Sequence, residues 1–274
     1  MNNKNHNTEN IERRFAGIAR VYGDQGMQRL IAAHVCVIGI GGVGSWLVEG
    51  LARSGVGEIT MIDMDMVAES NINRQILATT DSIGRDKIAV MQDRIQQINS
   101  HCKVHCIDEF INRDNLGQLL NSNMDFVIDC IDDFRTKAAL INFCKTNKIK
   151  VLTIGGAGGQ VDPSKIKQAD LSRTEHDVLL ARTRKLLRQD YGFARNLKRS
   201  FGIPCIYSDE QAVFPDGQGG ISLQRPNVNA ENNNVSEMPN NALNCAGGLG
   251  SITHTTGTFA FFASSYVLNK LAHK

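Results

Sequence analysis

Short apolar runs alternate with helix-spaced apolar positions along the first 160 residues. Residues 34–39 (HVCVIG) form a β-branched run, followed at once by glycines and then by a helical stretch at 43–54. Residues 58–63 (EITMID) predict a second strand. In 84–99 the apolar residues Ile88, Met91, Ile95 and Ile98 recur near the helical period of 3.6. Residues 103–107, 125–131 and 150–154 predict three more strands, with a helix at 134–147 between the last two. Ahead of all of them, 11–33 has helical spacing and two arginine clusters. Strands that alternate with helices need right-handed crossovers. The expected fold is therefore α/β, a doubly wound, mainly parallel Rossmann-like sheet.

After Gly159 the rhythm breaks. A basic insert comes next, helical at 178–187, and then short strands at 205–207 and 211–214. Residues 225–244 are rich in asparagine and proline and predict an exposed, mobile loop. The expected division is a disordered tail at 1–10 and a nucleotide-binding domain at 11–160. Residues 161–274 then supply the basic insert, the loop and a C-terminal helix that completes the same fold.

Charge sharpens the picture of the insert. The chain of 274 residues has 30 basic and 28 acidic side chains, a net charge of +2. Residues 164–200 alone contain ten Lys or Arg and four Asp or Glu, a local surplus of +6, which leaves −4 for the rest. Such an insert suits an anionic partner. The seven cysteines are odd in number and form no CxxC, a pattern of reducing compartments rather than of a disulfide framework. Cys36, Cys130 and Cys144 lie in apolar runs and read as buried thiols; Cys205 lies in the strand-like IPCIYS and Cys245 in a loop before the last helix, and a buried or incidental thiol is the simpler reading of each. The first ten residues lack the apolar core of a signal peptide. Residues 245–268 carry no charge and are long enough to span a bilayer, yet they are rich in Gly, Thr and Ser. A packed core helix is the preferred reading, with membrane attachment as the alternative. These features predict a cytoplasmic protein.

The glycines after the first strand read Gly39-Ile40-Gly41-Gly42-Val43-Gly44, a GxGxxG between a strand and a helix. Such a turn brings backbone N–H groups close to phosphates at a helix N-terminus. Asp63, 19 residues past Gly44, sits where a carboxylate accepts hydrogen bonds from ribose hydroxyls. A dehydrogenase would share these features. The residues after Asp63 point elsewhere: Asp65, then Ser70-Asn71-Ile72-Asn73-Arg74-Gln75, then Lys87. Arg74 and Lys87 are cations suited to a triphosphate. Asp129-Cys130-Ile131-Asp132-Asp133 ends another strand, at the sheet edge where ligands bind, and Asp132 is suited to Mg²⁺ against phosphate oxygens.

In this order the motifs GIGGVG, IDMD, SNINRQ and DCIDD resemble the adenylating domain of the ubiquitin-activating-type (ThiF/MoeB-like) family, over roughly residues 14–159. The resemblance implies adenylation of a carboxylate by Mg-ATP. It assigns an ATP site to Gly39, Gly41, Gly42, Gly44, Asp63, Asp65, Ser70, Asn71, Asn73, Arg74, Gln75, Lys87 and Asp132. Arg74, Lys87 and Asp132 would be the catalytic groups, with Asp132 holding magnesium. RRFAGIARVYG near the start, IGIGGVGSW and GGAGGQVDP resemble more closely the members that cyclise threonylcarbamoyladenosine in tRNA, and that likeness spans nearly the whole chain. It implies a modified tRNA as substrate and a homodimer, with a sulfur-transfer protein as a further partner. The insert's Arg182, Arg184, Lys185 and Arg188 are the candidates for tRNA contact.

Two departures matter. The sulfur-carrier activators of the family commonly have a CxxC pair that binds zinc, and this chain has none. In some relatives an N-terminal arginine reaches the partner subunit's ATP; here that role falls to Arg14 or Arg20. Two other readings stay open: adenylation of a ubiquitin-like sulfur carrier, and a Rossmann-type RNA-binding protein without catalysis.

Overall fold

The computed structural model of the chain describes residues 11–224 and 249–273. The expected tail at 1–10, the expected loop at 225–244 and Cys245 lie outside the described residues. The elements run in order: α1 (Ile11–Ala32), β1 (His34–Ile38), α2 (Gly42–Arg53), β2 (Glu58–Ile62), α3 (Lys87–Ile98), β3 (Lys103–Ile107), α4 (Leu116–Leu119), β4 (Phe126–Asp129), α5 (Phe134–Thr146) and β5 (Val151–Ile154). Then come β6 (Ile166–Asp170), α6 (Val178–Asp190), β7 (Pro204–Ser208), a small hairpin of β8 (Phe214–Pro215) and β9 (Ile221–Ser222), and α7 (Thr253–Ala272). Gly23, at φ +73°, breaks α1 into two helical segments.

Seven strands form one sheet in the order β3-β2-β1-β4-β5-β7-β6. All neighbours are parallel except β6 and β7, so the expected doubly wound sheet is present with one antiparallel edge. The sheet alternates as a two-faced layer must. Val35, Val37, Ile59 and Met61 pack with Leu47, Leu51, Met91, Ile95 and Phe259 on one face. Cys36, Ile38 and Val127 pack with Leu140, Ile141, Leu180 and Leu187 on the other.

The second half of the chain builds on this core. The strand β6 was not anticipated; its sequence, IKQAD, sits at the sheet edge with only Ile166 buried. The helix α6 runs three residues beyond its expected end, and of the run at 211–214 only Phe214 joins a strand. The uncharged C-terminal run forms α7, which buries Phe259, Ala260, Ala263 and Val267 in the core. Arg29 donates to the carbonyl of Ala272 at 2.8 Å and so caps that helix. No described helix is long and apolar enough to cross a membrane.

Gly44 fixes how closely β1 and α2 approach. A Cβ at this position would stand 1.9 Å from the carbonyl oxygen of Gly39, a backbone atom that cannot swing aside. Gly44→Ala is expected to destabilise the fold by about 3 kcal/mol, the upper end of the overpacking range. Gly117→Ala, in helix α4 with its Cβ meeting its nearest neighbour at 3.8 Å, is expected to leave stability unchanged or raise it by up to about 1 kcal/mol. Urea unfolding of the two variants checks the contrast.

Candidate active site

The strand order reverses between β1 and β4, and α/β sheets bind ligands at such a point, beyond the carboxyl ends of the strands. A cleft of about 420 Å³ opens there, within the usual size of small-ligand sites. Its walls include Gly39, Gly41, Gly42, Asp63, Asp65, Asn71, Arg74, Gln75, Lys87 and Asp132. Motifs up to 93 residues apart in sequence thus meet in one place. Gly44, Ser70 and Asn73, also expected in the site, do not line the cleft.

The glycine turn forms the floor. Gly39 has φ +87°, and a Cβ on it would lie 3.0 Å from the carbonyl oxygen of Cys130. The turn delivers the chain into α2, whose N-cap, Gly41, has no side chain over the first N–H groups. Those donors and the positive end of the helix dipole meet the cleft. Asp63 braces the turn from β2: its carboxylate accepts the N–H of Ile40 at 2.5 Å and that of Asp65 at 2.8 Å. Burial pushes its pKa up, opposed by the nearby Lys87 and by these two hydrogen bonds. Asp65 in turn accepts from Lys87 Nζ at 2.6 Å. Lys87 is 5% exposed, so this pairing holds its ammonium at the cleft wall.

Arg74 is held on two sides. Its backbone carbonyl accepts from Trp46 Nε1 at 3.1 Å and from the Thr256 hydroxyl at 3.3 Å. Its Nη1 donates to the Ser70 carbonyl at 2.7 Å and to Asn73 Oδ1 at 3.0 Å. Asn73 is pinned from the start of α7: its Nδ2 donates to the Ser251 carbonyl at 2.8 Å, and the Thr253 hydroxyl donates to its own carbonyl. Ser70 and Asn73 therefore orient Arg74 from behind. Asn71 is buried and accepts the N–H of Ala68 at 3.0 Å. Gln75 is 5% exposed, and its Oε1 has no partner among the described residues.

The aspartates that end β4 differ sharply. Asp129 is fully buried and accepts from Lys137 Nζ at 2.8 Å, the Thr153 hydroxyl at 2.6 Å and the Ile131 N–H at 3.1 Å. Lys137 is also fully buried. Asp133 caps α5 by accepting the N–H of Thr136 at 2.8 Å. Asp132 is exposed on the cleft wall, and its carboxylate has no partner among the described residues. Opposite, the glycines after β5 are held by Asp177, which accepts from the N–H groups of Gly156 at 2.8 Å and Leu180 at 2.9 Å. A Cβ at Gly155 would come within 2.2 Å of that carboxylate.

No described cysteine offers a ready nucleophile here. Cys130 lines the cleft, but burial pushes its thiol up to about 12. Cys205 is fully buried on β7, and burial raises its pKa well above the ordinary value. Both remain thiols, not thiolates, at neutral pH.

The ThiF family model matches residues 12–265. A tRNA threonylcarbamoyladenosine dehydratase of Haemophilus influenzae is 49% identical over 266 residues, 97% of this chain and 96% of its own. The dehydratase of the same name from Escherichia coli is 44% identical, covering 95% and 94%. A crystal structure of the Escherichia coli enzyme, TcdA, in complex with ATP superposes with a TM-score of 0.81 at 42% identity, again over 95% and 94% of the two chains. This chain belongs to the ThiF family.

Several residues of this ThiF-family cleft escaped the sequence reading. Met64, Glu109, Phe110, Ile111, Leu179, Leu249, Ser251 and Thr256 also line it. Glu109 and Phe110 come directly after β3, and a strand's carboxyl end is a signal that could have found them. Trp46, Lys137 and Asp177 had no such signal.

The basic helix α6 is more engaged than its composition suggests. Arg182 lies 5.7 Å from the ring of Phe134, and Arg188 lies 5.0 Å from that of Phe201. Arg188 also donates to the Ala194 carbonyl, and Arg184 to the Thr174 hydroxyl. Of the four expected RNA-contacting residues only Lys185 is exposed. Arg14 donates to the carbonyls of Ile98 at 2.8 Å and Gln97 at 3.4 Å, at the end of α3 remote from Lys87. Arg20 is exposed on α1.

Removing one partner of a buried ion pair strands the other charge. Lys137→Met is expected to cost about 3–5 kcal/mol. Adding Asp129→Asn to it should restore much of the stability, because the stranded carboxylate is then neutral. Chemical denaturation of the single and double variants checks this.

Proposed function

We propose that this chain is an ATP-dependent dehydratase that cyclises threonylcarbamoyladenosine in tRNA. The observation that carries the reading is the meeting of Arg74, Lys87 and unpartnered Asp132 around an open helix N-terminus in one cleft. End-to-end similarity to two dehydratases of that name supports it, and TcdA was crystallised with ATP.

In the reaction, an oxygen of the substrate's threonyl carboxylate attacks the α-phosphorus of ATP. The bond from that phosphorus to the bridging oxygen breaks and pyrophosphate leaves. A nitrogen of the same modification then attacks the activated carbonyl carbon, loses its proton, and the ring closes as AMP departs. The second step is intramolecular, so proximity supplies much of its rate. It also needs no enzyme nucleophile, which agrees with the raised thiol pKa of Cys130 and Cys205.

The chain's own contribution is electrostatic and positional. The glycine turn and the first N–H groups of α2 bind phosphate oxygens. Asp63 accepts from ribose hydroxyls while holding the turn. Arg74 and Lys87 stabilise charge on the phosphates. Asp129 and Asp133 are engaged elsewhere, so Asp132 is the carboxylate of this turn suited to a divalent cation. Magnesium, bound with the nucleotide, supplies further neutralising charge there.

Family resemblance supports a homodimer. With Arg14 capping α3, Arg20 is the better candidate to reach a partner's cleft. A sulfur carrier as acceptor fits less well, since the chain has no zinc-binding CxxC pair. A tRNA substrate agrees with a cytoplasmic protein.

Pyrophosphate exchange into ATP tests the reading. Exchange is expected to require tRNA carrying threonylcarbamoyladenosine and to be absent in Asp132→Ala, with an unchanged melting temperature. Exchange driven by a carrier protein instead would overturn the substrate assignment, and normal exchange in Asp132→Ala the metal assignment.

The exposed basic residues Lys185, Arg195, Lys198 and Arg199 are better placed for RNA phosphates than the engaged arginines of α6. Replacing these four by Gln is expected to flatten the dependence of log affinity for tRNA on log salt, by about 0.7–0.9 for each phosphate left without its cation. ATP affinity should not change.

A further inference from the structure

The strands β1, β2 and β3 begin side by side at the amino edge of the sheet, the end opposite the cleft. His34 is the register partner of Glu58, and Thr60, two residues on, is the partner of His105. Residues two apart on a strand share a face, so these four polar side chains lie together on one face. Farther along the sheet that face is covered by α5 and α6. Here β3 is the edge strand, with every residue exposed or half-buried.

The side chains converge. His105 Nε2 lies 2.9 Å from Glu58 Oε1, and His34 Nδ1 lies 3.7 Å from the same oxygen. The three potential ligand atoms all fall within 4.8 Å of one another, and this is the only such group of His, Cys, Asp and Glu among the described residues. His34 Nε2 is 2.8 Å from the hydroxyl of Thr60, which is 2% exposed. With its proton on Nε2 toward that hydroxyl, the ring turns the Nδ1 lone pair toward the carboxylate. Metal-binding histidines are commonly oriented by a second hydrogen bond of this kind. The His34 backbone N–H is itself tied to Asp125 Oδ2 at 3.0 Å, which fixes the start of β1 and adds nearby negative charge.

A tetrahedral site with metal–ligand bonds of about 2.0–2.2 Å sets its ligand atoms about 3.3–3.5 Å apart. The observed 2.9 and 3.7 Å from the two imidazoles to Glu58 bracket that separation, and the two imidazole ligand atoms lie within 4.8 Å of each other, so side-chain rotation that draws the imidazoles together completes the geometry. We propose that His34, Glu58 and His105 bind a divalent transition metal of the zinc class, with Thr60 as a positioning residue. Two imidazoles favour such an ion over magnesium or calcium, which take oxygen ligands. Three protein ligands leave a fourth position for water. The site lies away from the nucleotide chemistry, and its consequence is structural: it ties the edge strand β3 to β1 and β2.

Zinc titration of the full-length, chelator-treated protein by calorimetry tests this, with cobalt absorption as a second readout. The wild type is expected to bind one zinc ion per chain at this site, to show the cobalt bands of a tetrahedral centre, and to melt higher with zinc. His105→Ala and Glu58→Gln should each weaken binding at least about tenfold and abolish the shift in melting temperature. His105 is half-exposed, so its removal spares the core. Thr60→Val, which removes no ligand, should weaken binding by about 10–100-fold. His176→Asn, on a distant turn, should change nothing. Absence of zinc uptake by the wild type, or uptake unaltered in both ligand variants, would overturn the proposal.

Discussion

The buried contact between Lys137 and Asp129 organises the cleft. Two full charges at 0% exposure sit 2.8 Å apart where β4 ends. The Thr153 hydroxyl reaches the same carboxylate from β5. The arrangement locks the ends of two central strands to the start of α5. It also takes up one carboxylate oxygen with the Ile131 N–H, which shapes the turn after β4. That turn carries the Cys130 carbonyl against Gly39 and presents Asp132 to solvent. The glycine loop and the acidic loop are therefore two sides of one packed junction.

A second constraint comes from the far end of the chain. The start of α7 holds the Arg74 loop through Thr253, Thr256 and the Ser251 carbonyl, while Trp46 of α2 holds it from below. The helix is an integral part of the core rather than an appendage. A guanidinium placed by several backbone and side-chain contacts requires little reorganisation to meet a developing charge, which is how fixed dipoles and cations lower a barrier.

Much of this was legible in the residues. Strand-like runs of five to seven residues, separated by helical spacing, located the first five parallel strands to within two residues. The glycine pattern and the motifs around Asp63, Arg74, Lys87 and Asp132 located the cleft: Asp63 and Asp132 follow the carboxyl ends of β2 and β4, Lys87 opens α3, and Arg74 lies in the loop between β2 and α3. The remainder depends on tertiary partners. Strand β6 has a polar edge sequence, and only its pairing with β7 makes it a strand. Lys137 carries no signal in the sequence, and its role follows only from the 2.8 Å contact with Asp129 at the end of β4. Asn73 and Ser70 carry the family motif but act through Arg74. The arginines of α6 read as an exposed basic face, yet Phe134, Phe201, Thr174 and Ala194 occupy them. Charge counting finds a basic segment and is blind to which cations already have neighbours.

The cleft's proposed work is to activate a carboxylate on a modified tRNA base and let the modification close on itself. The most direct measurement is mass analysis of nucleosides from tRNA bearing threonylcarbamoyladenosine, after incubation with this protein and ATP. The expected result is conversion to a species lighter by one water, with one AMP and one pyrophosphate formed per nucleoside converted. Recovery of the modified nucleoside unchanged in the presence of ATP would contradict it.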